Sequence, residues 1–514
     1  MLSNGGSAVD ATIATLLCEG VLLPHSMGVG GGFIAIIYTK ETGRIETLIA
    51  RETAPAASNQ NMFLNKTITG AIASAVPSEI YGYWSLYKKY GKLPWKMLFE
   101  PAIELCFNGI KVSKHLANVL NMYSQRIRNE PSMADIFINP LTNDLYKEDE
   151  IMYRPKLGET LRIVAEEGPD AIYGGGSIGN KLVEDIQEMG GIITEADLKN
   201  YQVRWEDTVK VVFESGYTLH TTPLPTSGAV LAFILNVMEP MFTTIEPVFW
   251  HRLIETFKHG YGQRTSLGDI HYEPDVIDTY NNLLSPDYAD QVREQILDDR
   301  TFTDFHYYGA NFTNEDDKGT ANIAILAPNG DAIAVTSTVN SHLGAKVRSR
   351  QTGIILNDEM DDFSTPGVIN TYGIPSSPSN YIKPGKRPMS STCPSIILDQ
   401  NGNVKLMIGG AGGSRITTSV AQTILRYFML NNTLQESIDA GRLHHQLAPM
   451  RVDVEPEVEE HINDYLLKVG HELNYLPGSK AYSALTAIGI NSEVPQPACD
   501  RRRVGSWKVI YPHI

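Results

Sequence analysis

The stretch EDDKGTANIAILAPNGDAIAVTSTVN, residues 315–340, places Gly319 directly before Thr320 at the mouth of an apolar strand. Cutting the Gly319–Thr320 peptide bond would leave Thr320 with a hydroxyl and a free α-amine, the pair with which an N-terminal threonine activates itself as a nucleophile. The same dipeptide also suits a loop that ends on a β-branched residue. Polar clusters follow downstream. TSTVN carries Thr338 and Asn340, two apart and on one face of a continuous strand. LNDEMDDFS packs Glu359, Asp361 and Asp362 beside an aromatic, and KPGKRPMSSTCPSII brings Ser390 and Ser391 into a strand. GGAGGS offers Gly412 and Gly413, whose backbone N–H groups have no side chain beside them. Far upstream, Arg51 and Glu52 stand at the exit of the strand IETLIA.

Each cluster has a plain structural use: Thr338 as a strand filler, the acids as a solvated surface, Ser-Ser as turn chemistry and the paired glycines as a tight turn. Together they describe a site. Arg51 could fork onto a carboxylate with Ser390 and Ser391 adding hydroxyl donors, while Glu359 and Asp362 hold an ammonium. That combination grips the head of an α-amino acid. Gly412 and Gly413 could supply an oxyanion hole, and Thr320 could attack an amide carried on the amino acid's side chain. The substrate would then be a γ-glutamyl amide or its like.

The elements that must position these residues are legible in part. SNGGSAVDATIATLLCEGVLL predicts a helix starting near Ser7, with Val9, Ile13, Leu16 and Leu17 at helical spacing. HSMGVGGGFIAIIYTKETGRIETLIARETAP predicts a β-hairpin entered through glycines. Helical patterns dominate from about Pro77 to Leu297, including the capping signature Thr194-x-x-Asp197 and an amphipathic face at Phe249, Leu253, Phe257 and Tyr261. After Thr320 strands return, as NIAIL and AIAVTSTV around Asn329-Gly330, then SIILD and VKLMIGG around an NGN turn. The two ends thus supply strands and the middle supplies helices, which predicts one layered α/β body.

Composition narrows the function. The 514 residues are 42% hydrophobic and 20% charged, with a net charge of -16 and no basic cluster, so nucleic acid is an improbable partner. No window reaches the ~20 apolar residues of a membrane helix, and no cleavable leader stands at Met1. Cys18, Cys106, Cys393 and Cys499 are too widely spaced for a zinc set or a CxxC pair. GVGGGF puts Phe33 where a dinucleotide loop needs glycine, GGAGGSR fails at Arg415, and HELNY has Tyr475 in place of a second histidine. His444 and His445 are adjacent, and helix-capping or surface roles are expected for them. No metal or cofactor is implied. Asn65, Asn311 and Asn431 begin glycosylation sequons.

The motifs, in order, resemble those of the γ-glutamyltransferases (glutathione hydrolases), which are N-terminal nucleophile hydrolases. GGSAVDATIA, HSMGVGGGF, ARETAP, AVPSEIYGY, GKLPWKMLFEPAIELC, GGIITEADLKNY, FKHGYGQRTSLGD, GTANIAIL, TSTVN, LNDEMDDFS, PGKRPMSSTCP and GGAGGSRITT carry the resemblance across essentially the whole chain. It implies an α+β fold, a four-layer αββα sandwich. It implies self-cleavage between Gly319 and Thr320 into a large piece, 1–319, and a small one, 320–514, that form one heterodimeric body. Thr320 is then the nucleophile and Thr338 holds its hydroxyl. Arg51, Ser390 and Ser391 take the substrate carboxylate; Asn340, Glu359 and Asp362 take its amine; Gly412 and Gly413 stabilise the oxyanion. The implied substrates are glutathione and other γ-glutamyl compounds, with water, an amino acid or a dipeptide as acceptor, and no cofactor.

The resemblance also implies a place outside the cell or on the outer face of the plasma membrane. Departures accompany it. Asn322 stands where many relatives have His, and His342 lies at a variable position. Relatives have a strand and half a helix before GGSAVDA, so an N-terminal strand is expected to be missing here. Cys18 matches a cysteine that in animal relatives pairs with one in that segment. Three rival expectations stand beside the main one: a scaffold or binding homologue impaired by the truncation, an acylase acting on a glutaryl-like group, and a regulatory interaction protein. The last is supported by no sequence feature.

Overall fold

The hairpin expected after the glycine run is β1 (Gly32–Thr39) and β2 (Arg44–Ala50), paired antiparallel. The computed structural model of the protein describes residues 1–64, 68–312, 319–370, 374–478, 483–503 and 505–510. Nine further strands complete two sheets: β3 (Arg204–Glu206), β4 (Val209–Val212), β5 (Thr218–Thr221), β6 (Ala321–Leu326), β7 (Ala332–Thr338), β8 (Ser395–Leu398), β9 (Val404–Ala411), β10 (Ala484–Asn491) and β11 (Val494–Cys499). The first sheet runs β6-β7-β1-β2-β3 and the second β11-β10-β9-β8-β5-β4, both antiparallel throughout.

The sheets stack face to face. Ile36 and Tyr38 of β1 and Ala332 and Ala334 of β7 meet Ile396, Leu398, Val404 and Met407 of the second sheet. Phe33, Ala35 and Ile37 point the other way, into a core with helices Ala8–Leu22, Glu79–Tyr90 and Trp95–Asn108. Leu406 and Ile408 of β9 turn outward against helices Gly228–Met238, Glu246–Arg264 and Arg415–Phe428. The result is the expected αββα sandwich, and β1 and the first half of β7, through Val335, read as apolar runs because both their faces are buried.

The first helix starts where Ser7 predicts. The Ser7 hydroxyl accepts from Asp10 N at 3.0 Å and Ser7 N donates to the Asp10 carboxylate at 2.8 Å. Thr194 and Asp197 form the same reciprocal cap before helix Glu195–Asn200. The expectation that the middle of the chain is helical needs correction: β3, β4 and β5 come from it, adding an edge to each sheet. These strands are short and half polar, so their period-2 signal is weak.

Register brings distant residues into line. Gly32 on β1 is opposite Thr338 on β7. Extending the β6/β7 ladder one step past Ala321↔Ser337 sets Thr320 opposite Thr338, and extending β1/β2 past Phe33↔Ala50 sets Arg51 opposite Gly32. Thr320, Thr338, Gly32 and Arg51 therefore form one row across four strands, about 14 Å from end to end at the usual strand spacing. The glycines of GVGGG allow a backbone crossing at this sheet end. A Cβ on Gly30 would lie 2.0 Å from the Ile355 carbonyl oxygen and one on Gly31 2.0 Å from that of Thr338.

Candidate active site

At one end of the row, the Thr320 hydroxyl lies in short contact with the Gly319 carbonyl oxygen and 3.5 Å from the Thr338 hydroxyl. Thr338 Oγ1 donates to the same Gly319 oxygen at 2.8 Å and accepts from Asn340 N at 2.8 Å. The Thr338 hydroxyl is thus oriented by a backbone N–H so that its proton polarises the carbonyl beside Thr320. Gly319 is required by space: a Cβ there would meet the Asn340 carbonyl oxygen at 2.4 Å and the Ser341 carbonyl carbon at 2.8 Å. Thr320 and Thr338 are both buried.

Asn340 does not continue the strand, contrary to the shared face expected for TSTVN. Its φ is +72°, a left-handed turn that asparagine tolerates, and β7 ends at Thr338. The turn points its amide at the acidic segment, where Nδ2 donates to the Asp358 carbonyl at 3.1 Å. Asp358 pins the loop through Ser341 N at 2.8 Å and Lys346 Nζ at 2.9 Å. Glu359–Asp362 form a single 3-10 turn in which Glu359 is fully buried, so these acids are no solvated surface.

At the other end of the row, the buried Arg51 guanidinium forms short ion pairs with Glu359 and Asp362. Its remaining reach goes to the Met389 carbonyl at 3.3 Å and the Pro388 carbonyl at 3.5 Å, the two residues before Ser390. The expected carboxylate ligand and amine ligands therefore neutralise one another. Among the described residues, neither Glu359 oxygen has a hydrogen-bond partner apart from Arg51, and Asn340 Oδ1 has none. Glu359 Oε2 and Asn340 Oδ1, beside a shared guanidinium, suit a group bearing several N–H donors and a carboxylate. Burial raises the Asp362 pKa against the opposing pull of Arg51. Burial also pushes Glu52, 3.9 Å from Arg51, up to about 7 and Glu79 up to about 8.

Ser390 and Ser391 are buried just before β8. Ser390 Oγ lies 3.1 Å from Thr392 Oγ1, and the Ser391 carbonyl accepts from Thr417 Oγ1 at 3.1 Å. Thr417 sits in the first turn of helix Arg415–Phe428, directly after the glycine pair. Gly412 and Gly413, with φ of +127° and +62°, make the turn from β9 into that helix, a path that L side chains resist. Asn322 lies against the same strand: a Cβ on Gly409 would come within 2.1 Å of its side chain.

Some polar residues of this region escape the sequence reading. Arg264 donates to Ser391 Oγ at 3.0 Å and to Ser227 Oγ at 3.1 Å, and Ser227 Oγ donates to the Ser390 carbonyl at 2.8 Å. The signal was present, since Arg264 falls on the stripe of Phe257 and Tyr261, where an apolar residue is due. Glu79 accepts from Tyr83 and, at 2.9 Å, from Ser337 of β7. His444 and His445 correct the expectation of surface or capping roles: both are buried, and His444 bridges Thr418 at 2.8 Å and Gln446 at 2.9 Å.

His251, Glu255 and His471 hold potential metal-ligand atoms within 4.8 Å of one another. Those atoms are already engaged, His251 with His471 at 2.9 Å and Glu255 with Lys258 at 3.1 Å and Thr301 at 2.6 Å. An ammonium already sits on the carboxylate, which opposes a second cation there. Of the sequon asparagines, Asn311 and Asn431 are exposed and Asn65 lies outside the described residues. All four cysteines are free. Among the described residues no helix is long and apolar enough to cross a membrane.

Comparison with known proteins identifies the family of the chain. Residues 1–510 match the family model described as gamma-glutamyltranspeptidase. Scoloptoxin SSD14 from Scolopendra dehaani is 42% identical over 483 residues, covering 92% of this chain and 83% of its own. Glutathione hydrolase 3 from Arabidopsis thaliana is 37% identical, covering 93% and 77%. The crystal structure of Helicobacter pylori gamma-glutamyltranspeptidase superposes with a TM-score of 0.54 at 29% identity over 58% of this chain and 88% of that one. A cephalosporin acylase from Bacillus halodurans shares the fold, with a TM-score of 0.84 at 22% identity over 99% and 93%. The chain belongs to the gamma-glutamyltranspeptidase family.

Proposed function

We propose that this protein is a self-cleaving γ-glutamyltransferase and glutathione hydrolase. The observation that carries the reading is the Thr320 hydroxyl placed against the Gly319 carbonyl while Thr338 donates to that oxygen. In the first reaction Thr320 Oγ1 adds to the Gly319 carbonyl carbon, the C–N bond breaks, and the acyl group passes to oxygen as the nitrogen takes up a proton. Water then hydrolyses the ester. The products are residues 1–319 and 320–514, and the Thr320 amine is free to accept the proton of its own hydroxyl.

In the second reaction the substrate α-carboxylate meets Arg51, Ser390 and Ser391, and its ammonium meets Asn340, Glu359 and Asp362. The side-chain amide then lies along the row toward Thr320. Attack gives a γ-glutamyl ester and releases the amine, with Gly412 and Gly413 donating to the oxyanion. Water completes hydrolysis; an amino acid or dipeptide completes transfer. Glu359 Oε2 and Asn340 Oδ1, which have no hydrogen-bond partner among the described residues, favour an amine-bearing substrate over a glutaryl group. The family and the exposed Asn311 and Asn431 support a glycosylated protein outside the cell.

Mass spectrometry of the purified protein beside Thr320→Ala tests the first reaction. The expected result is two pieces joining at 319/320 in the natural chain and one intact chain in the variant. Assay of matched γ-glutamyl and glutaryl amides tests the second. An uncut chain that hydrolyses glutathione at full rate, or equal turnover of both amides, refutes the reading.

A further inference from the structure

Arg264 ends helix Glu246–Arg264, is 8% exposed, and lines a cleft with Tyr261, Ser414 and Gln446. Its hydrogen bonds go to two serine hydroxyls rather than to a carboxylate. Its charge reaches the Asp362 carboxylate only through space, with no hydrogen bond to an acid among the described residues. Ser391 Oγ has one proton and accepts from Arg264 Nη2, so the proton points away from Arg264. The Ser391 backbone is fixed by Thr417, and the neighbouring Ser390 backbone is held by Ser227, itself bonded to Arg264. Arg51 already shares its charge between Glu359 and Asp362.

We propose that Arg264 is a positioning residue for the substrate α-carboxylate: it orients and polarises the Ser391 hydroxyl and brings a second positive charge one hydroxyl away from the bound anion. This deepens the function proposed above and rests on it. A hydroxyl that accepts from a cation is a stronger donor, so the gain goes to ligands with a full negative charge. Arg264 thereby sets a preference for a free α-carboxylate over an α-carboxamide.

The test uses the mature protein and two probes, an L-γ-glutamyl anilide and the same compound with its α-carboxylate replaced by a carboxamide. Turnover of the first probe that Thr320→Ala abolishes secures the underlying reading, and its absence sinks that reading without reference to Arg264. Arg264→Gln is then expected to raise KM for the carboxylate probe about 10- to 100-fold, the scale of one charge-assisted hydrogen bond. Its kcat stays within about threefold, and the carboxamide probe is little affected. Arg264→Lys restores part of the loss. In a Ser391→Ala background, Arg264→Gln has at most a threefold effect, because the hydroxyl it acts through is gone. Should Arg264→Gln not accumulate as folded protein, Ser227→Ala carries the test, with KM for the carboxylate probe expected to rise about three- to tenfold. Equal losses on both probes, a full Arg264→Gln effect without the Ser391 hydroxyl, or an unmoved KM overturns the proposal.

Discussion

Replacing Thr338 with valine keeps the shape of the side chain and removes one oxygen. That oxygen accepts from Asn340 N, donates to the Gly319 carbonyl, and lies 3.5 Å from the Thr320 hydroxyl. Losing a donor aimed at a developing oxyanion costs about 2.7–4 kcal/mol, or roughly 10²–10³ in rate. Self-cleavage of Thr338→Val should slow by that factor. Asn340 N, left buried without its acceptor, should lower stability by about 1–3 kcal/mol, whereas Thr338→Ser keeps the hydroxyl and should retain most of both. A time course of freshly purified protein on denaturing gels, quantified by intact mass, measures the rate, and a thermal melt measures the stability. Thr338→Val separating into 1–319 and 320–514 as fast as the natural chain would show that the Thr338 hydroxyl does not polarise the Gly319 carbonyl.

Gly319→Val should stay uncut, because its side chain has to displace the backbone of Asn340 and Ser341; a gel showing normal cleavage refutes the steric argument. Arg51→Gln leaves Glu359 and Asp362 buried without their cation, so a loss of about 3–5 kcal/mol in denaturant unfolding is expected together with failed γ-glutamyl turnover. Glu79 holds its proton up to about pH 8 in the folded chain, against an ordinary value of 4.5. The folded state therefore binds the extra proton, and Glu79's share of the stability should fall between pH 4.5 and 8 by up to ~1.4 kcal/mol per unit; Glu79→Gln removes that share and leaves the slope due to Glu52 and Glu19, raised by burial to about 7 and about 8. Identical slopes in melts of the two proteins exclude Glu79 as a source of the fall. Turnover should rise toward mildly alkaline pH as the Thr320 amine loses its proton near ~8, and a flat profile from about pH 6 to 9 rules that amine out as the base.

The long hairpins were legible because β1, β2, β6 and β7 carry apolar stretches bounded by strong turn residues, and the first helix because Ser7 and Asp10 form a cap from local sequence alone. The short strands β3 to β5 were not, since what ties them into their sheets is pairing with strands far away in the chain. At the site, residue types gave Thr320, Arg51 and the acids, but not that Arg51 would pair with Glu359 and Asp362, which depends on a contact across more than half the chain. Asn340 shows the same limit: alternation puts it on the face of Thr338, yet the strand stops first and a left-handed turn re-aims it. Arg264 and His444 are polar residues whose partners lie in other elements, so hydrophobic periodicity passes over them.

Each sheet is stitched from both sides of residue 319 along a single seam. In one layer β7 zips to β1 over seven matched residues, from Gly32↔Thr338 to Tyr38↔Ala332; in the other β8 zips to β5 over three. A nick at 319 would sever the covalent thread and leave both seams closed. The fragments would then be permanent halves of one object: neither holds a complete layer, so parting them means unravelling both. Mixed populations of natural and variant molecules should accordingly never trade halves while native, and every molecule should keep for life the partner it was synthesised with.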